Sequence, residues 1–212
     1  MNGGGMGRRD NRHVTEQPLP SWPTTPRSFD SVVLREFTDQ DAHLAVELRA
    51  DPYIPLIGSL PAFPTAGQAL EWIGRQRGRL AEGTGLSFAI AEAQSDNALG
   101  TIGLWLRNLS AGRATAGYSV SPAHRGRGVA SGALQVLTTF AWTIPVLHRV
   151  ELFIEPWNTS SLHVAEAAGY QGGTAPQPPG DRRHPARHAA LRDDTTMTAA
   201  QSGKRVRREL PR

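Results

Sequence analysis

Apolar residues alternate with polar or small residues in several short runs of the chain, and between these runs they recur at helical spacing. Alternation is typical of strands and predicts them near residues 32–37, 86–90, 102–106, 113–120 and 150–154. Asp96-Asn97 lies between the second and third of these runs and is a turn signal. The two runs on either side of this turn are therefore predicted to form a hairpin.

Helical spacing predicts four helices, which lie between recognisable start and stop signals. The first begins after Thr38 or Asp39 and stops at Asp51-Pro52, and the second begins after Thr65. The third carries apolar residues from 129 to 140, and the fourth begins after Asn158 and closes at Gly169. The order strand, helix, helix, three strands, helix, strand, helix predicts an α/β (α+β) fold with helices on the faces of a mixed sheet.

The two ends of the chain lack such patterns. Residues 1–29 are rich in Gly, Pro, Arg, Ser and Thr and are predicted to be a flexible leader before a folded domain at 30–171. Residues 172–212 contain no aromatic side chain and only four large aliphatic ones. Burial of so little apolar surface cannot offset the entropy of ordering, so a basic, disordered tail is predicted.

Composition excludes several classes of protein and site. The 212 residues contain no cysteine, which excludes disulfides, thiolate metal sites and a cysteine nucleophile. Pro185 breaks the helix face that His184 and His188 would have to share, so no metal site is predicted. No apolar run approaches the roughly 20 residues of a membrane helix, and the N-terminus has no signal-peptide core. A cytoplasmic protein with no membrane partner is therefore expected.

The positive charge is concentrated in the tail. The net charge is +4, but residues 172–212 hold nine Lys or Arg against four Asp or Glu, so the rest of the chain is close to neutral. Nucleic acid is therefore expected only through nonspecific contact with the tail, and a nucleic-acid-binding protein that acts through this tail is kept as a rival hypothesis. Such binding would persist in an isolated tail peptide and would weaken with added salt.

The segment from Tyr118 to Ala130 joins a predicted strand to a predicted helix through a loop with two glycines and two arginines. The first N–H groups of a helix have no partner within the helix and carry the positive end of its dipole, so anions bind there. Gly126 and Gly128 let the backbone approach a diphosphate, and Arg125 and Arg127 can add charge-assisted hydrogen bonds. The segment therefore predicts a pyrophosphate site.

Two motifs resemble those of a known superfamily. Arg125-Gly126-Arg127-Gly128-Val129-Ala130 matches the R/Q-x-x-G-x-G/A pattern of the GNAT acetyltransferases. The run from Asn158-Thr159-Ser160-Ser161 to Gly169-Tyr170 resembles the N-x-x-S…E-x-x-G-[FY] run of the RimJ/RimL-like branch, which acetylates ribosomal-protein N-termini. The resemblance covers about residues 32–170. It implies the GNAT fold, a mixed and mostly antiparallel sheet flanked by helices, with acetyl-CoA as cosubstrate.

The resemblance also implies the reaction and the residues that perform it. An acetyl group would pass by direct attack to a primary amine, of a protein N-terminus or a small molecule, in a monomer or homodimer. The pantetheine arm and the acetyl carbonyl would lie against Tyr118, Ser119 and Val120. Asn158 would anchor the pantetheine arm, and Ser161 would protonate the sulfur of coenzyme A. In the alternative interpretation, Asn158 is only an N-cap and Ser161 only a first-turn serine.

The general base is harder to assign. Related chains often carry a glutamate two residues before the Gly-Tyr of the fourth strand, and here that position is Thr115. Glu155, at the end of the strand near 150–154, is the best remaining carboxylate, and Glu151 is a poorer choice. A chain of water molecules is a third possibility.

The ending departs from the family pattern. Family members follow the Gly-Tyr pair with two more strands, and residues 172–212 are predicted to lack them. The abrupt change to Ala, Arg, Pro, Gly and His suggests a reading-frame shift near residues 171–173, and a natural disordered extension is the alternative. Translation of the gene in the other two frames tests the shift. A chain without these strands would have a damaged acceptor groove, so an inactive acyl-CoA-binding remnant is kept as the second hypothesis of function.

Overall fold

The computed structural model describes residues 23, 27–29, 31–174 and 189–193, with the backbone alone at 27–29, 173–174 and 189–193. Eight strands lie within these residues: β1 Arg27–Phe29, β2 Val32–Arg35, β3 Gly85–Glu92, β4 Ala98–Trp105, β5 Arg113–Val120, β6 Arg149–Ile154, β7 Gln171–Thr174 and β8 Ala189–Asp193. The same residues contain five α-helices: α1 Ala42–Leu48, α2 Ile54–Ile57, α3 Ala66–Gly78, α4 Val129–Ala141 and α5 Thr159–Ala167.

The strands form one sheet in the order β1-β2-β3-β4-β5-β6-β8-β7. Every neighbouring pair is antiparallel except β5 and β6, which are parallel. The predicted mixed, mostly antiparallel sheet flanked by helices is therefore confirmed. The parallel pairing runs from Arg113 opposite Arg149 to Ala116 opposite Leu152 and stops there. Beyond this point β5 and β6 diverge, and β5 keeps its ladder to β4 on one side alone.

Helices cover both faces of the sheet. On one face α1 and α3 pack together against β3 and β4, and the edge of the Phe37 ring meets Trp72 at 5.6 Å between ring centroids. On the other face α4 crosses β1, β2, β4 and β5, with α5 beside it. Leu134 and Leu137 of α4 are fully buried there. These two apolar layers hold the sheet in place, so the point where β5 and β6 diverge is set by a packed core.

Polar contacts brace one corner of the sheet, where β2 leads into α1. Arg35 donates to both carboxylate oxygens of Asp41, at 2.7 and 2.9 Å, and to Asp96 in the β3–β4 turn. Asp41 also accepts the backbone N–H of Thr38 at 2.7 Å. Burial alone would raise the pKa of Asp41, but the hydrogen bonds from Arg35 and Thr38 outweigh it and hold the pKa below its ordinary value.

Two predictions about the chain ends are wrong where the structure describes them. The leader was predicted to extend to residue 29, but residues 27–29 form β1, which pairs with β2 from Arg27 opposite Leu34 to Phe29 opposite Val32. The last two strands were predicted to be missing, but β7 and β8 are present. β8 lies between β6 and β7 and pairs with β6 from Val150 opposite Asp193 to Ile154 opposite Ala189.

Backbone pairing explains both errors. A strand at or near a sheet edge gains main-chain hydrogen bonds from its neighbour whatever its side-chain pattern, so weakly patterned segments can still pair. The rest of the predicted leader and tail lies outside the described residues. The reading-frame shift, which was suggested by the abrupt change of composition, is not tested by these strands and stays a prediction.

Candidate active site

The loop between β5 and α4 has two left-handed residues immediately before the helix. After a 3₁₀ turn at Pro122–His124, both Gly126 and Gly128 adopt φ of 75°, and Gly128 is the N-cap of α4. A Cβ built on Gly126 would meet nothing within 4 Å, and one on Gly128 would meet only the hydroxyl of Ser131 at 4.0 Å. Backbone conformation, not crowding, therefore requires glycine here, and the space above the loop is open.

The amides of this loop have no acceptor among the described residues. The first α4 amide to donate within the helix is that of Gly132, to the Gly128 carbonyl at 2.9 Å. The N–H groups of residues 126–131 precede it, and no partner for them is recorded in the described ranges. N–H groups without acceptors at a helix N-terminus readily bind an anion.

Arg125 is committed to other contacts. Its Nε donates to the Val120 carbonyl at 3.0 Å, and its Nη2 donates to the Asp51 carboxylate at 2.6 Å. Burial alone would raise the pKa of Asp51, but hydrogen bonds from the Tyr53 amide and from Arg125 outweigh it and hold the pKa below its ordinary value. Arg125 therefore ties the glycine loop to the segment between α1 and α2.

Two cavities meet at the divergence of β5 and β6. The loop cavity, of about 610 Å³, lies between the glycine loop and the start of α5. The sheet cavity, of about 430 Å³, lies between the sheet and the segment that joins α1 to α3. The residues common to both walls are Tyr53, Ile54, Ile57, Tyr118, Ser119, Asn158 and Ser161. A group held in one cavity at this shared wall can therefore reach a group held in the other.

The acetyltransferase (GNAT) domain model matches residues 31–171 of this chain. The chain belongs to this GNAT family. The family predicted from the two motifs is confirmed, and with it an N-acetyltransferase domain.

Known proteins similar to this GNAT chain include both sequence relatives and solved structures. The uncharacterized N-acetyltransferase p20 of Bacillus licheniformis is 29% identical over 142 residues, which cover 67% of this chain and 80% of that protein. A Vibrio cholerae protein assigned as a ribosomal-protein-serine acetyltransferase superposes with a TM-score of 0.67 at 19% identity, over 81% of this chain and 98% of that one. The enzyme AAC(6')-Ib, solved with paromomycin and acetyl-CoA, superposes with a TM-score of 0.62 at 16% identity, over 83% and 100%.

The GNAT residues predicted to contact the donor converge on the loop cavity. Those that line it are Tyr118, Ser119, Val120, Arg125, Gly126, Gly128, Val129, Ala130, Asn158 and Ser161. Arg127 is exposed and is not part of this lining. The diphosphate contacts predicted for Arg125 and Arg127 stay predictions, and that of Arg125 would compete with Asp51.

The two candidate bases lie in different surroundings. Glu155 follows the end of β6 and lines the sheet cavity. Glu151 is 7% exposed and lies 3.9 Å from the guanidinium groups of both Arg113 and Arg149. It pairs in register with Thr115 and is not part of the sheet-cavity lining. The structure therefore brings Glu155, and not Glu151, to the cavity wall.

Asn158 and Ser161 form the N-terminal turn of α5. The Asn158 Oδ1 accepts the Ser161 backbone N–H at 3.1 Å, as expected of an N-cap. This contact uses the oxygen of the Asn158 amide, and no partner for its NH₂ group is recorded among the described residues. The Tyr118 hydroxyl donates to the Ser161 carbonyl at 3.5 Å, and burial raises the pKa of Tyr118. The capping role and a ligand role for Asn158 are thus compatible.

The fold also brings to the site residues that belong to neither motif. Tyr53 lines both cavities and meets the Trp157 ring edge-on at 4.7 Å between centroids. Arg79 follows α3 and lines the sheet cavity. Trp72 and Trp105 line the same cavity. All four residues lie outside both GNAT motifs, so only the fold brings them there.

Among the described residues, none of the helices is both long and apolar enough to cross a membrane. The described ranges also contain no group of three His, Cys, Asp or Glu residues able to hold a metal ion. His184 and His188, the pair with metal-like spacing, lie outside them.

Proposed function

We propose that this GNAT chain is an acetyl-CoA-dependent N-acetyltransferase that binds its donor in the loop cavity and its amine acceptor in the sheet cavity. The observation that carries the proposal is the shared wall of the two cavities at the divergence of β5 and β6. Acetyl transfer by direct attack requires the two substrates to meet without a covalent enzyme intermediate. The shared wall supports direct transfer, because an amine in one cavity can reach a thioester in the other there.

The glycine loop fits the diphosphate of the donor. The amides of residues 126–131 have no acceptor in the described part of the chain, and the two glycines leave open space in front of them. Oxygen atoms of a diphosphate would complete these hydrogen bonds and face the positive end of the α4 dipole. The complex of AAC(6')-Ib with acetyl-CoA supports the same donor here.

The free edge of β5 fits the pantetheine arm. Residues 117–120 pair with β4 on one side, and on the other side β6 has diverged. The main-chain groups on that edge can bind an amide-bearing chain as a further strand would. A backbone N–H of Tyr118, Ser119 or Val120 would then polarise the thioester carbonyl, which lowers the barrier to attack. The bound donor would supply the acetyl group as a thioester.

We assign the two proton transfers to Ser161 and Glu155. Glu155, directly or through water, accepts the proton that the amine loses as its nitrogen bonds to the carbonyl carbon. Ser161 lines both cavities, and its hydroxyl donates a proton to the sulfur as the carbon–sulfur bond breaks. The Asn158 NH₂ group would hold the pantetheine arm next to it. The products are an N-acetylated amine and coenzyme A thiol.

The acceptor we propose is a primary amine of a protein N-terminus, with small amines as the second choice. The Asn158-to-Tyr170 motif supports the RimJ/RimL-like branch, and the likeness to the Vibrio cholerae protein is in accord with it. The sheet cavity opens beside the segment between α1 and α3, where Leu56 and Phe63 are more than four-fifths exposed.

Thiol release tests the activity. With acetyl-CoA and a panel of peptides and small amines, the full chain is expected to release coenzyme A thiol in an amine-dependent way. Ser161→Ala should lower kcat about 100-fold, because the departing sulfur loses its proton donor, while the KM for acetyl-CoA changes little. Ser160→Ala is the matched control, since Ser160 lines the loop cavity but not the sheet cavity, and should stay near wild type.

The opposite results are equally clear. Stoichiometric acetyl-CoA binding with no thiol release for any amine would identify an inactive acyl-CoA-binding remnant. Equal kcat for wild type and Ser161→Ala would remove Ser161 from the reaction.

A further inference from the structure

Arg79 places an uncompensated positive charge in the wall of the sheet cavity. Its Nη1 is buried and has no hydrogen-bond partner, and the described residues give its guanidinium no ion pair within 4 Å. Burial lowers its pKa, Glu82 opposes this change, and Arg107 and Arg75 add to it. A desolvated cation without a partner is costly, so a protein that keeps one usually pairs it with a ligand.

The guanidinium is held in position by stacking. It lies over the ring of Trp105, 5.0 Å from the ring centroid. The Trp105 ring in turn lies across Gly103 and Gly117, where a Cβ on either residue would come within 3.1 Å of a ring atom. The two glycines therefore let the ring lie flat on the sheet. The ring in turn supports the Arg79 guanidinium at a defined distance from the sheet. A stacked arginine is pre-organised for recognition and loses little entropy when it binds.

The backbone of Arg79 is equally well anchored. Its carbonyl accepts hydrogen bonds from the Thr84 N–H at 3.0 Å, the Thr84 hydroxyl at 3.1 Å and the Gly85 N–H at 3.3 Å. These bonds close the turn that leads from α3 into β3. The backbone that carries the Arg79 guanidinium is therefore held in place by hydrogen bonds.

The surrounding wall is polar but close to neutral. The Ser87 hydroxyl donates to the Gln76 side chain at 3.1 Å, and the Gln76 NH₂ group donates to the Trp72 carbonyl. Apart from Arg79, the one described charged residue in this lining is Glu155, after the end of β6. Such a wall suits an acceptor with one negative charge at one end and an amine at the other.

From this arrangement we infer that the acceptor carries a carboxylate, which pairs with Arg79 while its amine faces Glu155 and the shared wall. The inference rests on the proposed acetyl transfer and names the chemistry of its acceptor. A carboxylate matches the planar fork and single charge of one guanidinium, whereas a dianionic phosphate calls for more basic groups than this lining holds.

Strand geometry gives the separation, along β5, between the ring under Arg79 and the shared wall. The Trp105 ring covers Gly117, and Ser119 in the shared wall lies two residues farther along β5, or roughly 7 Å at the usual rise of a strand. That span suits an acceptor in which a few bonds separate amine and carboxylate. An N-terminal Asp or Glu residue of a peptide and a free acidic amino acid both have this chemistry.

A pair of peptides that differ in one group tests the inference. Two hexapeptides with amidated C-termini would begin with Glu or with Gln, so that the side-chain carboxylate is the single difference. We expect kcat/KM for thiol release by the full chain to be at least about tenfold higher with the Glu peptide. Free glutamate is tested as a third acceptor. A higher rate with glutamate than with the Glu peptide indicates that the acceptor is a free amino acid, and a lower rate indicates a peptide.

Substitutions assign the preference to Arg79. Arg79→Gln should bring the Glu-to-Gln ratio close to one, chiefly by raising KM for the Glu peptide, and Arg79→Lys should restore part of it. Arg107→Gln is the matched control, because Arg107 is exposed and lies outside the sheet-cavity lining. The melting temperature of Arg79→Gln should stay close to that of wild type, since the lost stack on Trp105 is offset by removal of a half-buried cation whose Nη1 has no hydrogen-bond partner.

The possible failures are distinguishable. Equal use of the Glu and Gln peptides, or a preference for a phosphoserine peptide, overturns the carboxylate and leaves acetyl transfer intact. A ratio that survives in Arg79→Gln overturns the role of Arg79. If no amine releases thiol, acetyl transfer itself fails, and calorimetry of the two peptides with the chain bound to coenzyme A decides the inference separately: tighter binding of the Glu peptide supports it and equal binding overturns it.

Discussion

Glu155 and Glu151 are four residues apart, and the fold gives them different tasks. Glu155 faces the sheet cavity, whereas Glu151 is buried beside two arginines. The sequence singled out the glycines, Asn158 and Ser161 as donor-site candidates because each belongs to a local motif, and these residues line the cavities. It could not predict Arg79, because its place depends on how α3 packs on the sheet, and no short pattern encodes that packing.

Removal of the Glu155 carboxylate should slow the reaction without weakening the fold. For Glu155→Gln we expect kcat/KM to fall about 100-fold near neutral pH, because the amine loses its proton acceptor. The loss should shrink as pH rises, since more of the acceptor amine is then already deprotonated. Stopped-flow or steady-state thiol release across pH 6–9 measures this.

Glu151→Gln is the comparison at the residue scale. It should lower the free energy of unfolding, because two arginines lose their shared carboxylate, and leave the kcat/KM of the folded enzyme near wild type. Wild-type kcat/KM for Glu155→Gln at pH 6 would place the base elsewhere, with a water chain as the remaining candidate.

At the scale of elements, the alternation of apolar and polar residues predicted the strands that are held in the sheet by buried side chains. β3, β4 and β6 bury most of their side chains and were predicted from their alternation, and the Thr65 cap of α3 is present, with its hydroxyl accepting the Gln68 N–H at 3.3 Å. β1 and β8 were missed because a short strand can be held by main-chain pairing with a neighbour. The Arg35–Asp41 pair joins two of the predicted elements, β2 and α1, and was not foreseen.

Asp41→Asn tests this pair. The change leaves Arg35 without its buried partner and should lower the free energy of unfolding at pH 7 by about 3 kcal/mol in urea titrations. Because the folded pKa of Asp41 lies below its ordinary value, the carboxylate stabilises the fold at higher pH, and this contribution is lost as pH falls through the folded pKa. The difference between wild type and Asp41→Asn should therefore shrink below about pH 4.

Asp96 offers the control for this element. It also pairs with Arg35 but is largely exposed, and its φ of 58° is one that asparagine tolerates. Asp96→Asn should cost less than about 1 kcal/mol. An equal cost for both substitutions, or a constant difference down to pH 3, would contradict the account of Asp41.

At the scale of the whole molecule, one sheet, opened between β5 and β6, creates both cavities. The glycine loop closes one end of the opening, and Arg125 links that loop through Asp51 to the segment that borders the sheet cavity. The sequence singled out the glycine loop of the proposed donor cavity, because a strand–loop–helix motif is local. The acceptor half is built from α1 to α3, β4 and β6 together, so its chemistry emerged only from the fold.

Calorimetric titration of acetyl-CoA into the full chain tests the central claim, that free amides around Gly126 and Gly128 hold the donor. Wild type should bind one equivalent, and Gly126→Ala and Gly128→Ala should each weaken binding at least about tenfold, because a side chain then intrudes on the open space and the left-handed backbone is strained. Gly169→Ala is the matched control: Gly169 has φ of 89° and open surroundings but lines neither cavity. It should bind as wild type does. Unchanged affinity in both loop variants, with folding intact, would contradict the account.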